Sequence, residues 1–217
     1  VNGVVRKLPG FPVNPDKAKF EIEGEEKISG GVLETRVFLL YKPRGVVTTH
    51  SDEKGRPTVF SLVEDLDLHL IAVGRLDWAT SGLLLLTNDT QFSAWLTDPK
   101  NQIVRTYLVT VRGLVTASEL TELSAGIEDH GETLRSEGVV LRKGSSKESH
   151  LVVSLTEGKN REIRRMFLKF GHEVTSLKRV SYGPIELGDL KPGGYREISM
   201  NELKKAFPNA IYKRQPN

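Results

Sequence analysis

Ile71-Ala72-Val73-Gly74-Arg75-Leu76-Asp77-Trp78-Ala79-Thr80-Ser81-Gly82-Leu83-Leu84-Leu85-Leu86 holds two short apolar runs separated by a polar loop with a glycine near each end. Short apolar runs bounded by turn residues read as buried strands. Both are hydrophobic enough to be central in a sheet, so the loop between them stands on a rigid scaffold. Its one acid is Asp77, close to Arg75 and to Thr80, Ser81 and Gly82, small residues that leave room for a ligand beside the carboxylate. A loop aspartate ordinarily serves a turn hydrogen bond. The strand setting is what makes Asp77 a candidate for chemistry.

Outward from this stretch, Val37 to Leu40 reads as an apolar strand ending at Lys42-Pro43, and Thr106 to Arg112 alternates with Tyr107, Val109 and Val111 on one face. Thr116 and Glu119 have the spacing of a capping box and start a helix that ends near Gly126. Leu151, Val153 and Leu155 alternate in a further strand. A helix is expected from Asn160 as N-cap to Phe170, closed by Gly171. At about 100° per residue, Ile163, Met166, Phe167 and Phe170 share one face, Arg161, Arg165 and Lys169 the opposite one, and Arg164 falls at the boundary. Ser199 and Glu202 cap a final helix.

Strands and helices mix without βαβ regularity and without an internal repeat. The expected class is therefore α+β, with a mixed, mainly antiparallel central sheet and flanking helices. Residues 1–27 hold short strands and turns, too few for a core of their own. Residues 28–35, with Ser29-Gly30-Gly31, read as a linker, and residues 36–212 as the main domain. The chain opens at Val1 and not at Met, so residues are expected upstream.

Hydrophobic residues make up 38% of the 217, enough for a packed core. With no cysteine, disulfides, thiolate nucleophiles and cysteine-bearing zinc sites are excluded. The five histidines never fall at metal-ligand spacing, so no metal is expected. Asn88-Asp89-Thr90 matches a glycosylation sequon by chance, since no secretory leader or apolar run of roughly 18 residues is visible. The expected compartment is the cytoplasm, and the expected state a monomer. Net charge is only +3, but Lys159 to Arg179 carries seven Lys/Arg against two Glu. Such clustering is the footprint of phosphate binding, with a merely solvated basic face as the plain alternative.

Three blocks together resemble the core motifs of the RsuA-type (RsuA/RluB-like) ribosomal RNA pseudouridine synthases. They are Gly74 to Asp77 with Thr80 to Asp89, Arg105 to Gly113, and Glu157 to Met166. Tyr41-Lys42-Pro43-Arg44-Gly45, Gly55 to Val59 and Gly183 to Gly193 match further blocks, in the family's order from Val37 to Ile198. Val1 to Gly24 is similar to the last half of an alpha-L RNA-binding domain. Trp78-Ala79, Thr90, Asp98 and Arg105 depart from the usual residues without removing a catalytic group.

The resemblance implies a pseudouridine synthase fold and the isomerisation of a uridine in ribosomal RNA, the large subunit favoured over the small. Asp77 becomes the catalytic aspartate, Tyr107 the base-stacking tyrosine, Arg164 the basic partner of the aspartate, and Ile163 a wall of the uracil pocket. Arg75 helps to displace the nucleotide; Lys159, Arg161 and Arg165 are expected as phosphate contacts from the basic cluster itself and not from the resemblance. The reaction breaks the bond from uracil N1 to the ribose and rejoins the base through C5, with no redox change, so no cofactor is expected. An aspartate is ionised at neutral pH without special tuning. Attack on the sugar, attack on the base and removal of a sugar proton all remain open to it. A hydrolase pairing Asp77 with Asp65 or Asp67, and a non-catalytic RNA platform, are the competing readings.

Overall fold

The computed structural model describes residues 3–5, 19–22, 25–28 and 34–212. Contacts divide the chain into a unit of Val1–Thr35 with Tyr212–Asn217 and a unit of Arg36–Ile211. In the first, β1 (Lys19–Ile22) pairs antiparallel with β2 (Glu25–Ile28), so the pairing reaches the first residue read as linker. Most of the alpha-L-like stretch lies outside the described residues.

The second unit begins with β3 (Val37–Lys42), followed by β4 (Ile71–Ala72) and β5 (Ser81–Thr87). Next come α1 (Thr90–Thr97), β6 (Arg105–Arg112) and α2 (Ala117–Ala125). A small hairpin, β7 (Ile127–Asp129) and β8 (Glu132–Leu134), precedes β9 (Gly138–Gly144) and β10 (Glu148–Leu155). The chain continues through α3 (Glu162–Leu168), β11 (Val174–Tyr182), β12 (Ile185–Glu186), β13 (Tyr195–Ile198) and α4 (Met200–Ala206). Nine strands form one sheet in the order β13-β3-β5-β11-β6-β10-β9, with β4 beside β5 and β12 beside β11. Only β5 and β11 run parallel; every other pairing in it is antiparallel. The expected α+β architecture is thus the observed one.

Strand β5 is central because its sequence allows nothing else. Leu83, Leu84, Leu85 and Leu86 are all 0% exposed, and each such side chain contributes about 1.5–3 kcal/mol when fully buried. The alternating β6 and β10 bury Tyr107, Val109 and Val111 with Leu151, Val153 and Leu155 in a core that also takes Ile163, Met166 and Phe167 from α3. The capping box of Thr116 and Glu119 is present, whereas at α4 only Ser199 caps and the Glu202 carboxylate binds Arg196 instead. Thr116 Oγ1 accepts from the Glu119 amide while that carboxylate accepts from the Thr116 amide.

Two helices depart from expectation. α1 has no counterpart in the sequence reading. Asp89 of the chance sequon is its N-cap, accepting from the Gln91 and Phe92 amides at 2.9 and 3.2 Å. α3 begins two residues later than its expected cap, Asn160. Arg161 takes a left-handed backbone, φ 49°, and the Glu162 carboxylate reaches back to the Lys159 amide at 3.1 Å. At the other end Gly171, φ +78°, lets the His172 amide bond Phe167 O, so the glycine stop holds.

Candidate active site

The Asp77 loop is fixed through its backbone. Val73 N donates to Leu85 O at 2.8 Å, and then five successive carbonyls are each held. Leu76 O accepts Thr48 Oγ1 at 2.9 Å, Asp77 O accepts Thr80 N at 3.0 Å, and Trp78 O accepts Gly45 N at 2.9 Å. Ala79 O accepts Arg164 Nη2 at 3.5 Å, the weakest of the set, and Thr80 O accepts Lys42 Nζ at 2.7 Å. The Asp77 side chain is exposed, and its carboxylate has neither a hydrogen bond nor an ion pair among the described residues. A rigid loop therefore presents one free carboxylate.

Two cations shape the field at that carboxylate without touching it. Lys42 is 0% exposed and donates to Pro43 O as well as Thr80 O. Burial pushes its pKa from 10.5 down to about 8, while the charge of Asp77 works the other way. Half-buried Arg164 donates to Val174 O at 3.0 Å; burial lowers its pKa and Asp77 again raises it. Arg164 is thus an electrostatic neighbour of Asp77 that braces its loop, and the direct pairing expected from sequence is absent.

Across an open cleft of about 470 Å³, Asp77 meets Tyr107 of β6, Leu155 of β10 and Ile163 of α3, with Arg75, Lys159 and Arg161 at the walls. The register of the central strands brings these together. Tyr107 pairs with Arg179 of β11, and Arg179 with Gly82 of β5 at the foot of the Asp77 loop. A Cβ on Gly82 would lie 2.1 Å from Arg179 O, so only glycine permits this approach. Tyr107, 8% exposed, lines the cleft while packing into the core.

The basic segment is less free than its composition suggests. Arg165 is not the phosphate contact expected. Its Nε and Nη1 bind Asp129 and Glu132 at 2.6 and 2.7 Å, fastening α3 to the β7–β8 hairpin. Lys159 pairs with Glu157 at 2.5 Å and donates to Thr133 O, yet still lines the cleft. Arg161, placed on the solvent face by helical periodicity, instead precedes the helix and lines the Asp77 cleft. Its left-handed backbone removes it from the helical wheel. Sequence reasoning gave no role to Lys42, although a lysine ending a wholly apolar strand was a visible signal. It also passed over Glu162, which lines the cleft and whose pKa burial raises. Asp65 is held by the Tyr195 hydroxyl, and neither it nor Asp67 lines this cleft, so the paired-carboxylate hydrolase has no site.

Residues 36–169 match the family model described as RNA pseudouridylate synthase. The chain belongs to the RNA pseudouridylate synthase family. It is 40% identical over 170 residues to ribosomal large subunit pseudouridine synthase B of Bacillus subtilis, covering 77% of this chain and 70% of that protein. An uncharacterized RNA pseudouridine synthase of Rickettsia typhi is 35% identical over 216 residues, covering 94% of this chain and 86% of that one. A crystal structure of a pseudouridylate synthase shares 28% identity with a TM-score of 0.71, covering 94% of this chain and 86% of its own. Pseudouridine synthases are isomerases, and the three blocks that carried the resemblance supply Asp77, Tyr107 and Ile163 to a single cleft.

Proposed function

We propose that this chain converts a uridine of large-subunit ribosomal RNA to pseudouridine, with Asp77 as the acting carboxylate. The observation that carries the assignment is the free Asp77 side chain on a loop whose carbonyls from Leu76 to Thr80 are all bonded. Such a group reaches the reacting nucleotide without first giving up a protein partner, and its position costs no reorganisation. Tyr107 offers an aromatic ring to the detached base, while Leu155 and Ile163 give apolar walls against which it can turn. Arg164 and Lys42 act as positioning residues that keep the loop and its charge in place. Arg75, Arg161 and Lys159 line the same cleft as cations for the RNA backbone.

The large subunit is favoured by the name of the Bacillus subtilis relative. The isomerisation balances without a cofactor: the N1–C1′ bond breaks and N1 takes up a proton, C5 bonds to C1′ in its place, and the C5 proton ends in solvent. Action as a monomer in the cytoplasm belongs to the same proposal. The test uses unmodified large- and small-subunit transcripts labelled with tritium at uracil C5. Release is expected from the large-subunit RNA alone, and Asp77→Asn should reduce it by at least about a hundredfold while RNA affinity stays within a few-fold. Substantial release by the variant would remove Asp77 from the chemistry.

A further inference from the structure

Beside the Asp77 cleft lies a second and larger one, about 890 Å³. The two share Arg75, Tyr107, Gly158 and Lys159 as walls, so they are continuous along one surface. The second cleft also holds two arginines for which the reaction has no use. Arg105 and Arg179 are 8% and 3% exposed and flank the ring of Tyr182, their guanidinium carbons 4.8 and 5.2 Å from its centroid. Arg105 donates to Thr156 O at 2.5 Å, Leu96 O at 3.1 Å and Tyr182 Oη at 2.9 Å. Arg179 Nε donates to Leu83 O at 2.7 Å.

Every one of these acceptors is neutral. Among the described residues no carboxylate pairs with either arginine, although buried charges ordinarily require one. Arg179 Nη2 has no partner at all, one of only two such buried side-chain atoms among the described residues. Four cationic side chains line this cleft against the single carboxylate of Glu157, which Lys159 already engages. The charge is built in, buried and unanswered by the chain itself.

We propose that the second cleft seats a backbone phosphate of the RNA, belonging to a nucleotide that adjoins the target uridine, with Arg105 and Arg179 as its counter-charges. The proposal rests on the synthase reading, because a nucleotide held at Asp77 carries its phosphodiester neighbours along the shared wall of Arg75 and Lys159. A phosphate there positions the strand and carries no base information.

Phosphate-ethylation interference on an unmodified large-subunit transcript tests this with the full chain. In the wild type, ethylation of one phosphate next to the modified uridine should exclude the RNA from the bound fraction. In Arg179→Met, which keeps bulk and removes charge, that exclusion should vanish, and the salt slope of log affinity should flatten by roughly 0.7–0.9. An unchanged pattern in a folded Arg179→Met overturns the seat. Should that variant fail to fold, inorganic phosphate decides with the wild type. At matched ionic strength it should raise KM more than chloride does and leave kcat unchanged; equal effects of the two anions overturn the proposal. Competition by inorganic phosphate without any interfering backbone phosphate beside the uridine marks a free-anion site and overturns the RNA assignment. Tritium release by the wild type reports the reaction separately, so a failed reaction and a failed seat leave different records.

Discussion

The Asp77 loop and the segment from Lys159 to Lys169 line one cleft and hold their functional groups in opposite ways. In the loop the backbone is bonded and the side chain is free. In the basic segment the side chains are bonded: Arg165 to Asp129 and Glu132, Lys159 to Glu157, Arg164 to the carbonyls of Val174 and Ala79. Arg161 alone of the cations expected to bind substrate there has no side-chain hydrogen bond or ion pair among the described residues. A charge present in a sequence is therefore not yet a charge available to a ligand, and a single uncharacteristic loop acid can be more available than a whole basic stripe.

The sharpest break of this comparison is Arg164→Ala. It removes a brace from the Asp77 loop and a positive charge from its field, and displacements of about 1 Å cost on the order of a hundredfold in rate. We expect kcat to fall by that much with RNA affinity within a few-fold, and Arg164→Lys to recover part of the loss. A fall in affinity with unchanged kcat would make Arg164 an RNA contact instead.

Lys42 gives a second test through pH. Its pKa is lowered from 10.5 to about 8, so between those values the unfolded chain keeps a proton that the folded chain has released. This group therefore adds stability as pH rises through that window. Activity should move the other way, falling above about pH 8 as the charge that anchors Thr80 O is lost. In Lys42→Arg the alkaline limb should shift upward, because a guanidinium stays charged. Alkaline loss of activity that tracks unfolding, or a limb unmoved in Lys42→Arg, would separate Lys42 from the site.

The smallest effects should come from the two arginines that helical periodicity grouped together. Arg161→Gln should weaken RNA binding several-fold and flatten the salt slope by roughly 0.7–0.9. Arg165→Gln should leave that slope alone and lower the melting temperature by a few degrees, as the tie between α3 and the β7–β8 hairpin is lost. Equal slopes in the two variants would return the segment to a uniformly solvated basic face.

What could be read from sequence was whatever neighbouring residues settle among themselves. The alternation of β6 and β10, the capping box of Thr116 and Glu119, the apolar face of α3 and the placing of Asp77 between two buried strands are all local patterns. α1 was legible in principle through the capping Asp89 and the apolar Phe92 and Leu96. The start of α3 was misplaced because Arg161 adopts a left-handed conformation that a wheel cannot show.

Only the tertiary structure decided which charges are spent. Arg165 meets Asp129 from 36 residues away, Lys42 meets Thr80 from 38, and Arg179 meets Leu83 from 96. The parallel pairing of β11 with β5 sets Arg179 against Gly82 and buries it beside Tyr182, turning a member of a basic cluster into an interior charge. The sequence by itself determined where strands, helices and the reactive loop form, because side-chain period and caps act over a few residues. Availability of a charge depends on desolvation and on partners brought in by the fold, and those act across the whole chain.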